Sequence, residues 1–266
     1  MDSSGPWCLC ALCETCIDAG AQHKSPCHDV RPLRRLRRMA TTVAALYVQT
    51  GGSYYGDPDV DPWDEARDAR LYAGPYPVVA HPPCSRWCRL AGLVEARWGH
   101  KRGDDGGCFA AALASVRAHG GVLEHPAYSD AWAAFDLPTP SRSGGWQRGM
   151  CGGWSCHVEQ GRYGHVAKKA TWLYAYGVEL PALRWGSDPD GSALALVSWC
   201  GNNVKSGEVR PRVGKAAASK TPPEFKAVLL SMARSANKGC PCCGGCLTQR
   251  APDCTGFECD VCECPF

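Results

Sequence analysis

A helical stretch between two proline-terminated strands is the strongest constraint in this sequence. Val78-Val79-Ala80 is a short β-branched run that stops at His81-Pro82-Pro83 and sets Cys84 on the turn that follows. Gly121-Val122-Leu123 is a second apolar run, and it ends the same way, in Glu124-His125-Pro126. Between them, Cys108 to His119 is alanine-rich and is stopped by Gly120-Gly121, the pattern of a helix with glycine just past its end. A strand, a crossover helix and a second strand make parallel neighbours. Cys84 and Glu124 are therefore expected at the same sheet edge, where open α/β sheets keep their ligands.

Further strand-like runs at 42–48, 155–160 and 171–177 alternate with helical ones, so the fold class is α/β. A helix at about 222–234 starts with prolines in its first turn. Asp64-Glu65-Ala66-Arg67-Asp68-Ala69-Arg70-Leu71 reads as another helix start. With 266 residues and 45% hydrophobic content, the chain can bury one good core. No run approaches the roughly eighteen apolar residues of a membrane span. Met1-Asp2-Ser3-Ser4 lacks the charged and apolar regions of a secretory signal, so a cytoplasmic location is expected.

Nineteen cysteines without an export signal point to metal rather than disulfides. Eight lie in the last twenty-seven residues. There Cys243-x-x-Cys246 and Cys259-x-x-Cys262 are separated by twelve residues, the arrangement in which two turns each give two thiolates to a tetrahedral zinc. Cys240 and Cys254 are further candidate ligands, with room for one ion or two. At the other end Cys10, Cys13, Cys16 and Cys27, with His23 and His28, form a second candidate zinc cluster. The chain thus divides into a Cys- and Arg-rich extension (1–38), an α/β domain (39–235) and a Cys-rich zinc-binding module (236–266). Met39 directly precedes the first core strand, which leaves open a product that starts there.

A thiol, a carboxylate and an arginine are thus expected at the ends of successive elements. Pro82-Pro83-Cys84, then Glu124-x-Pro126, then Gln160-x-Arg162 resembles the cytosine-5 DNA methyltransferases, especially the short versions carried by phages and prophages. The resemblance covers roughly residues 42–177. It implies that Cys84 adds to carbon 6 of cytosine, making carbon 5 nucleophilic. Glu124 would bind the N3 and amino edge in a protonated or proton-sharing form. Arg162 would lower the thiol's pKa and hold the flipped nucleotide, and Gln160 and Arg162 occupy the first two positions of the family's Gln-x-Arg-x-Arg motif. The last arginine of the family's Gln-x-Arg-x-Arg motif is Gly164 here. Taken singly, a cysteine after a strand is more often inert packing. His81 and His125 read as supporting groups.

The same resemblance implies a Rossmann-like methyltransferase sheet that takes S-adenosylmethionine at the turn Leu46-Tyr47-Val48-Gln49-Thr50-Gly51-Gly52. Leu46, Tyr47, Gly51 and Gly52 match its first motif, while Ala45 replaces an acid and Gln49 a glycine. The stretch from this turn to Cys84 is shorter than in the family. One strand-helix unit is missing or compressed into Asp57 to Asp64, where acids such as Asp61 either grip the ribose or cap a helix.

DNA is the implied partner. Five arginines between Arg31 and Arg38 suit phosphate contact, or form a solvated basic linker. Trp87, Trp146 and Trp154 are candidates to stack on an extruded base, or are packing. Residues 186–220 stand where the family keeps target recognition, and Gly201-Asn202-Asn203-Val204 reads as a coincidental match to a family motif. A zinc deaminase is set aside: Cys84-x-x-x-Cys88 has the wrong spacing and no His-x-Glu precedes it. Thymidylate synthases also use a Pro-Pro-Cys nucleophile, but their other motifs are not visible. The competing function is a catalytically degenerate methyltransferase scaffold that binds nucleic acid.

Overall fold

The computed structural model describes residues 41–150, 152–186 and 213–236, with the backbone of 247–249 and 257–259. One sheet is built from β1 (Val43–Leu46), β2 (Val60–Trp63), β3 (Val78–Ala80), β4 (Gly121–Pro126), β5 (Gln147–Arg148), β6 (Trp154–Glu159) and β7 (Ala170–Tyr176). Its spatial order is β2-β1-β3-β4-β7-β6-β5. The first four strands in that order are parallel, β7 is antiparallel to both β4 and β6, and β5 is antiparallel to β6. The helices are α1 (Ala91–Trp98), α2 (Cys108–His119), α3 (Ala131–Ala134), α4 (Lys215–Ser219) and α5 (Pro223–Arg234). The architecture is α/β with a mixed sheet compatible with a Rossmann-like one.

Successive side chains of a strand face opposite sides of its sheet, and β1 shows how this sequence uses both. Ala44 and Leu46 join Val78, Ala80 and Leu123 in a core with Phe109, Leu113 and Val116 of α2. Val43 and Ala45 join Val79, Val122 and Leu173 in a second core with Phe225, Leu229 and Met232 of α5. Burial on both faces is why the central strands read as continuous apolar runs rather than alternating ones. Each buried Leu or Phe stabilises the fold by roughly 1.5–3 kcal/mol. The register pairs Ala80 with Leu46 on one side and with Leu123 on the other, so β1 and β3 end together while β4 runs on three residues, through Glu124, against β7.

Helix α2 spans the expected residues, and α5 starts within a residue or so of the expected place. Three features differ. The Asp64–Leu71 segment is not an α-helix: Asp64 Oδ1 accepts the Ala66 and Arg67 N–H groups at 3.1 and 3.2 Å, and only Ala69–Leu71 forms a 3-10 turn. Asp68, at φ 49°, interrupts any longer helix. Val60-Asp61-Pro62-Trp63 is a strand, tolerated despite its proline because β2 lies at the sheet edge. Helix α1 follows the Cys84 turn with only Ala91 buried, so it lacks the apolar stripe that would reveal it in the sequence.

Two further strands, β8 (Leu247–Gln249) and β9 (Phe257–Cys259), pair antiparallel with Leu247 opposite Cys259. Cys240, Cys243, Cys246, Cys254 and Cys262 lie outside the described residues, as do residues 1–38 and the Gly201–Val204 stretch. Among the described residues no helix is long and apolar enough to cross a membrane.

Candidate active site

The β3 ladder ends by sequence. The His81 N–H still donates to the Leu46 carbonyl at 3.0 Å, but Pro82 and Pro83 have no N–H to continue it. The Cys84 carbonyl then accepts the N–H groups of Trp87 and Cys88 at 3.0 and 2.9 Å, so Cys84 opens a helical turn just beyond the strand. Burial pushes its thiol pKa up, and the neighbouring Cys88 thiol and Glu124 carboxylate push the same way; Lys169 opposes them. The resting thiol is therefore protonated, and it can attack only if its proton is removed.

Glu124, on β4 beside β3, is 9% exposed and fixed at both oxygens. His81 Nδ1 lies 2.9 Å from Oε2, and Gln160 Nε2 donates to Oε1 at 2.9 Å. Burial alone would raise this carboxyl's pKa, but the His81 hydrogen bond and the charges of His81 and Lys169 outweigh it and hold it down at about 2. Gln160, fully buried, also donates to Thr171 Oγ1 at 3.0 Å, and that hydroxyl donates to the Lys169 carbonyl at 3.0 Å. On the far side His81 Nε2 lies 2.8 Å from Tyr54 Oη. The carboxylate only accepts, and burial keeps the Tyr54 phenol protonated. The proton on His81 Nδ1 therefore serves Glu124, and Nε2 meets the Tyr54 hydroxyl. Tyr54, His81, Glu124, Gln160 and Thr171 thus form one hydrogen-bonded chain across the carboxyl ends of β3, β4 and β6.

Gln160 and Arg162 sit in the 3-10 turn Gln160–Tyr163 that follows β6, not on the strand itself. That turn closes on Gly164 at φ 88°, a conformation that disfavours an arginine there. Lys169 is a cation whose field acts on the Cys84 thiol. Lys169 enters β7 at φ 43°, and its Nζ donates to the Lys220 carbonyl at 2.8 Å. No motif announces Lys169, Tyr54 or Thr171. They reach Glu124 only through the pairing of β7 with β4 and the turn after β1.

The turn after β1 is tight. Leu46 is buried core, Tyr47 takes φ 60°, and Gly51 takes φ 66° with open space where a Cβ would point. Gly52 donates to the Gln49 carbonyl at 2.8 Å, and a Cβ on it would lie 2.8 Å from that oxygen. The acids beside this turn are engaged. Asp61 pairs with Arg67 at 2.6 Å and accepts from Trp63 Nε1 at 2.8 Å, rather than standing open to a ligand. Asp64, the residue that closes this corner, accepts from Thr50 and Tyr55 hydroxyls at 2.7 and 2.6 Å besides its two backbone donors. Those hydroxyl hydrogen bonds lower its pKa to about 2. Asp57 is held by Lys226 at 2.8 Å.

The two histidines separate in role. His81 contacts Glu124 directly. His125 is enclosed by Phe109 and Trp132, and burial pushes its pKa down to about 4 against the pull of Glu124. Trp87 is core: it is 8% exposed, packs on Phe109 and Phe135, and donates to Asp105 at 2.8 Å. Trp146 donates to the Pro181 carbonyl at 3.0 Å and meets Trp185 edge-on, while Trp154 carries the Arg148 guanidinium over its ring at 5.8 Å. Among the described residues no group of three or more His, Cys, Asp or Glu side chains is arranged to hold a metal ion. In comparisons with protein-family models, curated proteins and solved structures, nothing matches the chain.

Proposed function

We propose that this chain is a cytosine-5 DNA methyltransferase-like enzyme that bonds Cys84 Sγ to carbon 6 of a cytosine. One observation carries the reading: Cys84 stands on the turn after β3, and the buried Glu124 lies on the adjacent parallel β4 one residue past the last β3–β4 pair, fixed at both oxygens by His81 and Gln160. As Sγ attacks carbon 6, the ionised Glu124 takes the thiol proton and passes it to N3. The C5–C6 π pair becomes a C4–C5 double bond, and the former N3–C4 π pair becomes the new N3–H bond. Sulfur is gained at carbon 6 and hydrogen at N3, so the addition balances without a further reagent. Carbon 5 is then an enamine carbon. Lys169 lowers the cost of developing negative charge on sulfur.

S-adenosylmethionine is the methyl source this reading implies, and it would supply an electrophilic methyl group to carbon 5. The residues at the turn after β1 do not fit its ribose as they stand, because Asp57, Asp61 and Asp64 are each engaged by the protein's own donors. No step is therefore routed through the donor. Those engaged acids favour the second reading, a degenerate scaffold that binds nucleic acid without reacting. Zinc at Cys243, Cys246, Cys259 and Cys262, with Cys240 and Cys254, stays part of the proposal. It is supported by the β8–β9 register, which brings the residue after Cys246 beside Cys259.

The adduct has a donor-free consequence. Carbon 5 can take a deuteron from D₂O, and loss of its original proton with expulsion of the thiol returns cytosine labelled at C5. Mass spectrometry of DNA incubated with the protein in D₂O should show this label, and Cys84→Ser should show none. Absence of label with the wild-type protein under conditions where DNA is bound would leave the degenerate scaffold as the better reading.

A further inference from the structure

The segments that follow Cys84 and the Glu124 strand continue into a cleft of about 610 Å³ lined by Arg89, Arg102, Tyr128, Asp130 and Arg142. Arg89 lies five residues beyond Cys84 and Tyr128 four beyond Glu124. The two segments are tied by the Asp130 N–H, which donates to the Trp87 carbonyl at 2.9 Å. Arg102 neutralises Asp130 in an ion pair. The Arg89 and Arg142 guanidiniums stand 5.8 and 6.0 Å from the Tyr128 ring centroid, and no ion pair joins either to a carboxylate among the described residues. The cleft therefore carries a surplus of two positive charges, presented as planar forks that match phosphate oxygens.

We propose that this cleft binds the phosphodiester backbone of the nucleic acid whose base enters the Cys84 edge, a proposal that rests on the function given above. A single phosphate would leave most of the volume unfilled, whereas a run of nucleotides spans it and meets both free guanidiniums. A base brought to Cys84 and Glu124 must trail its backbone past residues 89 and 128, because those residues lie on the same two segments. Tyr128 offers a flat face between the arginines on which a neighbouring base can rest.

The test is fluorescence anisotropy of a labelled duplex oligonucleotide with the full chain, titrated across salt concentration. Arg89→Gln with Arg142→Gln should weaken binding about 10-fold or more at fixed salt. The slope of log K against log salt should become shallower by about 1.8, roughly 0.9 for each phosphate that is no longer neutralised. The melting temperature should not move, since both side chains are exposed. Unchanged affinity and slope would overturn the proposal. So would displacement of the oligonucleotide by inorganic phosphate at an equal concentration of phosphate groups, which would make the cleft a small-anion site. Binding is read without turnover, so a failure of the cleft is distinguishable from a failure of the Cys84 chemistry: the label from D₂O reports the second alone.

Discussion

Glu124→Gln is expected to slow the donor-free labelling of cytosine at C5 by a factor on the order of 10²–10⁴, the usual cost of removing a general acid or base. The amide keeps the shape of the carboxylate but cannot carry the thiol proton to N3. It also fits its surroundings less well. Both Glu124 oxygens accept, one from His81 Nδ1 and one from Gln160 Nε2, so an amide must turn its NH₂ toward one of these donors. Losing one charged hydrogen bond in that way costs about 1.5–3 kcal/mol.

The same substitution should reshape the acid limb of stability. Glu124 titrates at about 2 in the fold against an ordinary 4.5, so its stabilisation is full above pH 4.5 and is lost as pH falls from there toward 2. Its size is on the order of 3 kcal/mol. His125 is held neutral, with its pKa lowered from 6.5 to about 4, so its contribution is full above pH 6.5 and is lost as pH falls toward 4. Urea midpoints of wild type should therefore drop in two overlapping stages, and Glu124→Gln should keep the upper stage and lose the lower one. A variant with normal labelling and an unchanged acid limb would make Glu124 a structural carboxylate only.

The second large effect is expected at Gly121. It sits at φ 144°, and a Cβ built there would lie 2.0 Å from the Val78 carbonyl oxygen on the neighbouring strand. That oxygen belongs to backbone and cannot swing aside as a side-chain end would, so Gly121→Ala must push β3 and β4 apart or abandon the pairing. The cost should be about 4 kcal/mol, at the upper end for a single substitution. Because β3 carries Cys84 and β4 carries Glu124, any fraction that folds should also label cytosine more slowly. Denaturant unfolding that shows less than about 1 kcal/mol of change, closer to the range of ordinary surface substitutions, would mean the strands do not approach as described.

The parallel neighbours, helix α2 and the shared edge of Cys84 and Glu124 were legible because they rest on local signals: apolar runs, prolines that end a ladder, and an alanine-rich stretch stopped by glycine. Strand β2 was not, since Pro62 and the acids around it read as a loop, and only its edge position makes the proline tolerable. Asp64 was readable as a cap, but its two hydroxyl partners depend on the tight turn at Gly51-Gly52. Lys169 and Thr171 could not be found by spacing. They reach the site because β7 runs backward between β4 and β6, a long-range choice that no short motif encodes.

The central claim, a bond between Cys84 and a pyrimidine ring, is tested most directly by mapping an adduct. In DNA carrying 5-azacytosine, the ring nitrogen at position 5 makes carbon 6 more electrophilic. After the thiol adds, the ring takes up its proton on nitrogen, and with nitrogen at position 5 there is no carbon–hydrogen bond there whose loss would expel the thiol. Trypsin cuts after Arg70, Arg86 and Arg89, so Cys84 and its neighbour Cys88 fall on different peptides. The account predicts a nucleotide-linked peptide spanning residues 71–86, absent in Cys84→Ser. A link on the peptide that carries Cys88, or no link in protein that binds the DNA, would contradict it.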